Sequence, residues 1–174
     1  FVPPGEKHDN EVHRRIQAWV TKALLGHGRP RTVAFEMFTV DQGNAIAAYV
    51  TQHPTDASGL GAAVNWEKKG WPEWRVYQPI AQAALDAGAP ILAADLPRTT
   101  LRAITKEGTK ALGTPAEKRL GLDRPIPAEM RDAMEYEIVD AHCDALPASM
   151  IGPMTTVMYA RDAHMAGVLV EGAA

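Results

Sequence analysis

The segment GAPILAADLPR, residues 88–98, carries the clearest indication of the fold. Its apolar run has the length of a buried strand, and Gly88 separates it from an amphipathic helical pattern that spans residues 74–87. A second helical pattern begins at about Thr99. A short buried strand between two helices is typical of βαβ units, so this segment predicts a parallel sheet covered by helices.

Working outward, the same alternation recurs towards the N-terminus. The run RTVAFEMF, residues 31–38, has the β-rich composition of a strand, and a helical pattern follows it until about Pro54. Before it, FVPP at residues 1–4 indicates the remnant of a short strand, and a helix is predicted from about Glu11 until the glycines at 26 and 28. The apolar positions of that helix are Val12, Ile16, Trp19, Val20, Ala23 and Leu24. The predicted fold class is therefore α/β, with a parallel-type sheet core flanked by helices.

The C-terminal part of the chain is predicted to be helical. Residues 109–127, rich in Pro, Gly and charge, indicate a loop or a short helical excursion, and helices are expected over 128–141 and 149–170. The whole chain, residues 1–174, has the length and composition of one domain. An α/β chain normally returns to its sheet after such helices, whereas this one ends at LVEGAA.

Charge and composition exclude several classes of function. With a net charge of -3 and no basic cluster, the chain lacks the electrostatic character of a nucleic-acid-binding protein. One cysteine, Cys143, excludes an intrachain disulfide and a multi-cysteine metal site. No apolar run approaches the length of a membrane span, and no signal-peptide pattern is present at the start of the chain.

Polar side chains follow the predicted strands at the edge where a parallel sheet binds ligands. They are Glu6 and His8 after the first strand, Glu36 near the end of the second, and Asp95 with Arg98 after the third. Glu36 lies within an apolar run, and a buried carboxylate needs a partner or a metal ion. Glu6, His8 and Glu36 therefore form a candidate divalent-metal site. The alternative for the neighbouring Asp9 or Asn10 is the N-cap of the following helix.

Aromatic residues are concentrated in one segment, NWEKKGWPEWRVY, residues 65–77. Trp74 and Tyr77 are three residues apart on a predicted helix, so one interpretation is that they pack in the core. The other is an apolar surface for a planar ligand, to which Trp71 would contribute and in which Arg75 or a nearby lysine would pair with the carboxylates of the ligand. These residue patterns leave both interpretations open.

Several motifs, in order along the chain, resemble the ChaN family of haem-binding proteins in the Tiki and erythromycin-esterase-like superfamily. They are GEKHDN, FEMF, GWPEWRVYQPI, ILAADLPR, HCDALP and ARDAHMA. The resemblance implies a haem cofactor, an α/β core, bacterial iron or haem uptake, and a periplasmic or membrane-anchored lipoprotein whose lipid anchor would lie outside this chain. It also implies a G-x-x-H motif, matched by Gly5 and His8, and a strand glutamate, matched by Glu36. The family's second G-x-x-H and final strand have no counterpart in this sequence.

Two functions follow as hypotheses. The first is a haem-binding protein whose site residues are Tyr77, Trp74, Trp71, Arg75 and Arg98, with a tyrosine or histidine on the iron and a homodimer that could sandwich the ligand. The second is a divalent-metal-dependent hydrolase that uses Glu6, His8 and Glu36. Because half of the superfamily's catalytic motif has no match, the sequence favours binding over catalysis.

Overall fold

The computed structural model describes residues 2–5, 10–27 and 32–173. Its helices and strands, in chain order, are α1 (Glu11–Leu25), β1 (Val33–Thr39), α2 (Gly43–Gln52), α3 (Leu60–Ala63), α4 (Trp74–Asp86), β2 (Ile91–Asp95), α5 (Arg98–Glu107), α6 (Thr114–Arg119), α7 (Ala128–Ala141) and α8 (Ala148–Glu171). Short 3₁₀ turns occur at Val40–Gln42, Trp66–Lys69 and Gly108–Leu112. The predicted helices and the two internal strands are therefore confirmed, with end points that differ by a few residues.

The sheet of the described residues contains two strands, β1 and β2, which run parallel. The strand predicted at the start of the chain is wrong for residues 2–5, which have no regular structure. Pro3 and Pro4 cannot donate backbone hydrogen bonds to a neighbouring strand, and the carbonyl of Pro4 accepts one from the Gln17 side chain at 2.8 Å instead. The α/β class is confirmed, but the sheet is smaller than the sequence indicated.

The chain divides into two compact units, the first formed by residues 1–94 and 168–174 and the second by residues 95–167. The core of the first unit lies between β1 and the helices that follow it. Its largest buried side chains are Phe35, Phe38, Ile46, Leu60, Trp66, Trp74 and Tyr77. Residues of α4 that are spaced three or four apart, including Tyr77, Ile80 and Ala84, contribute one face to this core, as their periodicity predicts.

The turn between α4 and β2 shows why a strand can begin so soon after a helix. Gly88 has a φ of +63°, a left-handed conformation that glycine adopts without steric cost. The amides of Gly88 and Ala89 donate to the carbonyls of Leu85 and Ala84 at 3.0 and 2.8 Å, so the last turn of the helix is capped. The chain then enters β2 at Ile91.

The second unit contains α5, α6, α7 and most of α8, around a smaller core. Its buried apolar residues are Leu96, Ile104, Leu122 and Ala160. Within the predicted excursion at 109–127, α6 is the short helix. None of the described helices combines the length and the apolar character that a bilayer-spanning helix needs.

Candidate functional site

Asp95, at the carboxyl end of β2, is a buried and fully hydrogen-bonded carboxylate among the predicted polar residues. It is 8% exposed, and its two carboxylate oxygens accept hydrogen bonds from the Arg161 guanidinium at 2.9 and 2.8 Å. The backbone amide of Leu96 donates a third bond at 2.8 Å. The expected grouping of Asp95 with Arg98 is replaced by this bidentate pair, since Arg98 is exposed at the start of α5. Asp95 is thus held in a satisfied ion pair.

Arg161 is a residue that sequence reasoning missed as a partner. It lies on α8, 66 residues from Asp95. The sequence contained one signal for such a partner, because a buried carboxylate needs a cation to pair with. Nothing in the sequence could choose Arg161 over the other cations of the chain, because the choice depends on how α8 packs.

The expected burial of Glu36 is wrong. In β1, Phe35 and Met37 are buried while Glu36 is exposed, because successive side chains of a strand point to opposite sides. Its carboxylate therefore does not face the desolvation cost that motivated the metal site.

Two of the three predicted metal ligands, Glu6 and His8, lie outside the described residues. Within residues 2–5, 10–27 and 32–173, no three His, Cys, Asp or Glu side chains are arranged to hold a metal ion. The predicted N-cap is confirmed for Asn10, whose side chain accepts from the amides of Val12 and His13 at 3.0 and 3.4 Å.

The aromatic segment forms part of the core of the first unit. Trp66 is fully buried, and its ring centroid lies 5.1 Å from that of Trp74 and 4.8 Å from that of Tyr77. The indole nitrogens of Trp66 and Trp74 donate to the carbonyls of Pro72 and Ala57 at 2.7 and 3.0 Å. The interpretation that Trp74 and Tyr77 pack in the core is therefore confirmed.

The Tyr77 hydroxyl has a specific buried partner. Arg14, on α1, donates from Nη2 to the hydroxyl oxygen at 2.5 Å, and its guanidinium carbon lies 4.3 Å from the centre of the Tyr77 ring. Its Nη1 donates to the carbonyl of Asn10 at 2.8 Å. Arg14 is 2% exposed and Tyr77 is 0% exposed, so the hydrogen bond and the cation–π contact are both shielded from water.

Arg14 and Gln17 determine how α1 faces the protein. Both are buried, and the partly buried Ala18 and Leu25 pack beside the core on the same helix. Three large apolar side chains of the helix therefore point away from the core: Val12, Ile16 and Trp19 are 58%, 53% and 71% exposed. Together with Arg15 they line an open depression on the surface. The helical periodicity was visible in the sequence, but the side that faces the core was not.

The remaining predicted residues are accessible. Trp71 is half-buried, and Arg75 is exposed on α4. The Arg75 guanidinium donates a hydrogen bond to the carboxylate of Glu73. This bond raises the pKa of Arg75 above its ordinary value, and the negative charges of Glu73 and of Glu11 on α1 raise it further. Arg75 lies on α4, which packs against α1.

Tyr77→Phe tests the buried hydrogen bond between Arg14 and Tyr77. Removing the hydroxyl leaves a guanidinium N–H of Arg14 without its acceptor away from water, so we expect the free energy of unfolding to fall by about 1–3 kcal/mol. Urea unfolding followed by circular dichroism measures this change. Tyr136→Phe is the matched control, because Tyr136 is 73% exposed and should show no loss. Equal stability of the two variants would contradict the importance of the Arg14 contact.

Comparisons with known proteins agree with this architecture. The sequence model of the family described as haem-binding uptake, Tiki superfamily, ChaN, matches residues 1–174. A search of curated proteins found no match. The fold is similar to a solved structure of ChaN of Campylobacter jejuni, which is described as showing cofacial haem binding, with a TM-score of 0.72 and 23% sequence identity. The match covers 95% of this chain and 64% of that protein. Because the family model matches over its whole length, this chain belongs to the ChaN haem-binding uptake family of the Tiki superfamily.

Proposed function

We propose that this protein binds haem and serves in haem or iron uptake. The observation that carries the proposal is the match of the haem-binding uptake family over residues 1–174. The similar fold of the Campylobacter jejuni protein, in which haem is bound cofacially, supports it. The chain spans 64% of the length of that protein.

The described residues offer groups of the kind that haem requires. A porphyrin needs an apolar surface, and its propionates need cations. Of the five residues predicted from the sequence, Trp71 is half-buried and Arg75 is exposed on the first unit, so these two can take such roles, whereas Trp74 and Tyr77 are buried. Arg98 is exposed on the second unit. Because Tyr77 is buried, the iron ligand in this proposal is a residue other than Tyr77.

The hydrolase alternative is not favoured. It requires Glu6, His8 and Glu36 as a group, and only Glu36 lies among the described residues, where it is exposed on β1. Among the described residues, no three His, Cys, Asp or Glu side chains are arranged to hold the metal ion that this mechanism needs.

A role in uptake also suggests a location and an assembly. We propose that the protein lies in the periplasm of a bacterium, or at a membrane as a lipoprotein, where it would meet incoming haem. A homodimer that sandwiches the ligand belongs to the proposal too, because a flat ligand on an open surface leaves one side exposed to water.

Titration with haemin tests the function. We expect a saturable, red-shifted Soret band at a defined stoichiometry, and an unfolded sample of the same chain in urea serves as the control. Iron-free protoporphyrin IX separates contact with the porphyrin from ligation of the iron. A titration curve that matches that of the unfolded control would overturn the proposal.

The same titration tests the predicted ligand Tyr77. Because its hydroxyl is buried and bonded to Arg14, we expect Tyr77→Phe to retain the Soret position and the weak visible bands of the haemin complex. Loss of a tyrosinate-type visible band in this variant would instead assign the ligand to Tyr77. A matched Tyr136→Phe measurement controls for the removal of a phenol elsewhere.

A further inference from the structure

The outward side of α1 exposes a stripe of apolar side chains. Val12, Ile16, Trp19 and Ala23 follow one another at intervals of four, three and four residues, so they form a single stripe. All four are exposed, and Trp19 has 71% of its surface open to solvent. Isolated exposed apolar residues are common, whereas a contiguous exposed stripe of this kind indicates a binding surface.

The opposite side of α1 fixes this orientation. Arg14 bonds to Tyr77, and Gln17 donates to the carbonyl of Pro4, so both anchor the helix through buried polar contacts. Rotating the helix to bury Trp19 would break these contacts and expose the Arg14–Tyr77 pair. The stripe is therefore held outwards by specific bonds.

The charged side chains on one flank of the stripe are two cations and one acid, Glu11, which precedes Val12. Arg15 and Lys22 are both exposed, and they are seven residues apart, roughly 10 Å along the helix axis. Residues 12–25 contain no aspartate or glutamate, although the chain as a whole has a net charge of -3. The surface thus combines an exposed indole, aliphatic side chains and two cations, which is complementary to a flat, apolar dianion.

We propose that the porphyrin of haem lies on this surface, which we call the α1 face (Val12, Arg15, Ile16, Trp19, Lys22 and Ala23). The Trp19 indole stacks on the macrocycle, Val12 and Ile16 extend the apolar contact, and Arg15 and Lys22 pair with the propionates. This inference rests on the proposed haem-binding function and assigns residues to it.

An anionic membrane is the other class of partner that a basic amphipathic helix can bind. Helices that bind anionic lipid typically carry about four to eight clustered basic residues. The α1 face has two, Arg15 and Lys22, and the negative net charge of the chain opposes approach to an anionic bilayer. The charges therefore favour a small dianion over a lipid surface.

Trp19→Ala, compared with Tyr136→Ala, tests the stacking contact. The two side chains are 71% and 73% exposed, so both variants should fold, which circular dichroism verifies. We expect the Kd for haemin to rise about tenfold in Trp19→Ala because of the lost aromatic contact, and to stay unchanged in Tyr136→Ala. An unchanged Kd in Trp19→Ala, or an equal rise in both variants, would overturn the inference.

The double variant Arg15→Gln with Lys22→Gln tests the propionate contacts, with Arg131→Gln on α7 as the control for loss of an exposed arginine. We expect the double variant to bind haemin about threefold to tenfold more weakly, while its affinity for haemin dimethyl ester, which has no free carboxylates, stays unchanged. Equal weakening for both ligands would remove the propionate assignment.

The outcomes separate the inference from the function on which it rests. Haemin binding by the unmodified chain together with an unchanged Kd in Trp19→Ala contradicts the α1 face alone. Absence of haemin binding by the unmodified chain contradicts the proposed function itself. If Trp19→Ala instead abolishes sedimentation with vesicles of phosphatidylserine and phosphatidylcholine while haemin affinity is retained, the face binds membranes and the inference is wrong.

Discussion

Trp66→Ala is expected to lower the free energy of unfolding by about 3–5 kcal/mol, the largest loss that we anticipate for a single substitution in this protein. Trp66 is fully buried, and its ring contacts Phe38 edge-on, with centroids 5.8 Å apart. Removing it leaves a cavity among aromatic rings and leaves the carbonyl of Pro72 without the indole donor. Domains are typically stable by about 5–15 kcal/mol, so this loss is a large fraction of the total stability.

Urea unfolding followed by far-UV circular dichroism measures this loss, and Trp19→Ala provides a matched control. The same chemical change at a position that is 71% exposed should alter the free energy of unfolding by less than about 0.5 kcal/mol. Trp66→Phe, which refills part of the cavity, should fall between the two. Similar unfolding midpoints for Trp66→Ala and Trp19→Ala would contradict the burial of the aromatic segment.

Asp95→Ala is expected to lower the free energy of unfolding by about 2–3 kcal/mol. The substitution leaves the Arg161 guanidinium without both of its carboxylate acceptors and removes the acceptor of the Leu96 amide. The Arg161 side chain is 26% exposed, so water can rehydrate part of its charge, and the loss should be smaller than for a fully buried pair. Thermal and urea unfolding measure the effect.

Two variants control this prediction. Asp95→Asn retains one acceptor oxygen and the shape of the side chain, so it should lose less stability than Asp95→Ala. Glu73→Ala breaks the ion pair with Arg75, in which both side chains are mostly exposed, and should leave the unfolding midpoint unchanged. If Asp95→Ala were as stable as Glu73→Ala, the pair with Arg161 would contribute nothing to folding.

Helices and strands could be predicted from the sequence where local pattern and boundary residues agree. The strand at 91–95 was recognisable because an apolar run follows Gly88, and α4 because its apolar residues recur at helical spacing. The first predicted strand is wrong for residues 2–5 because Pro3 and Pro4, although apolar, cannot donate hydrogen bonds to a sheet.

The candidate site was predictable only in part. The motifs of the sequence indicated the family correctly. They could not show that Glu36 faces solvent, because a residue within an apolar run can lie on either side of a strand. They also could not show that Tyr77 is buried, since a helical face for the core and one for a ligand have the same spacing.

The sequence by itself determined the class of fold, the order of its internal strands and helices, a helix cap at Asp9 or Asn10, and the family, because each depends on residues that are close together or on an ordered set of motifs. Only the tertiary structure decided which side of each element is buried and which distant residues pair. Arg14 with Tyr77 and Asp95 with Arg161 are separated by 63 and 66 residues, so no local pattern relates them. The exposed position of Trp19 follows from the same cause, because the buried contacts of Arg14 orient α1 with its apolar stripe towards the solvent.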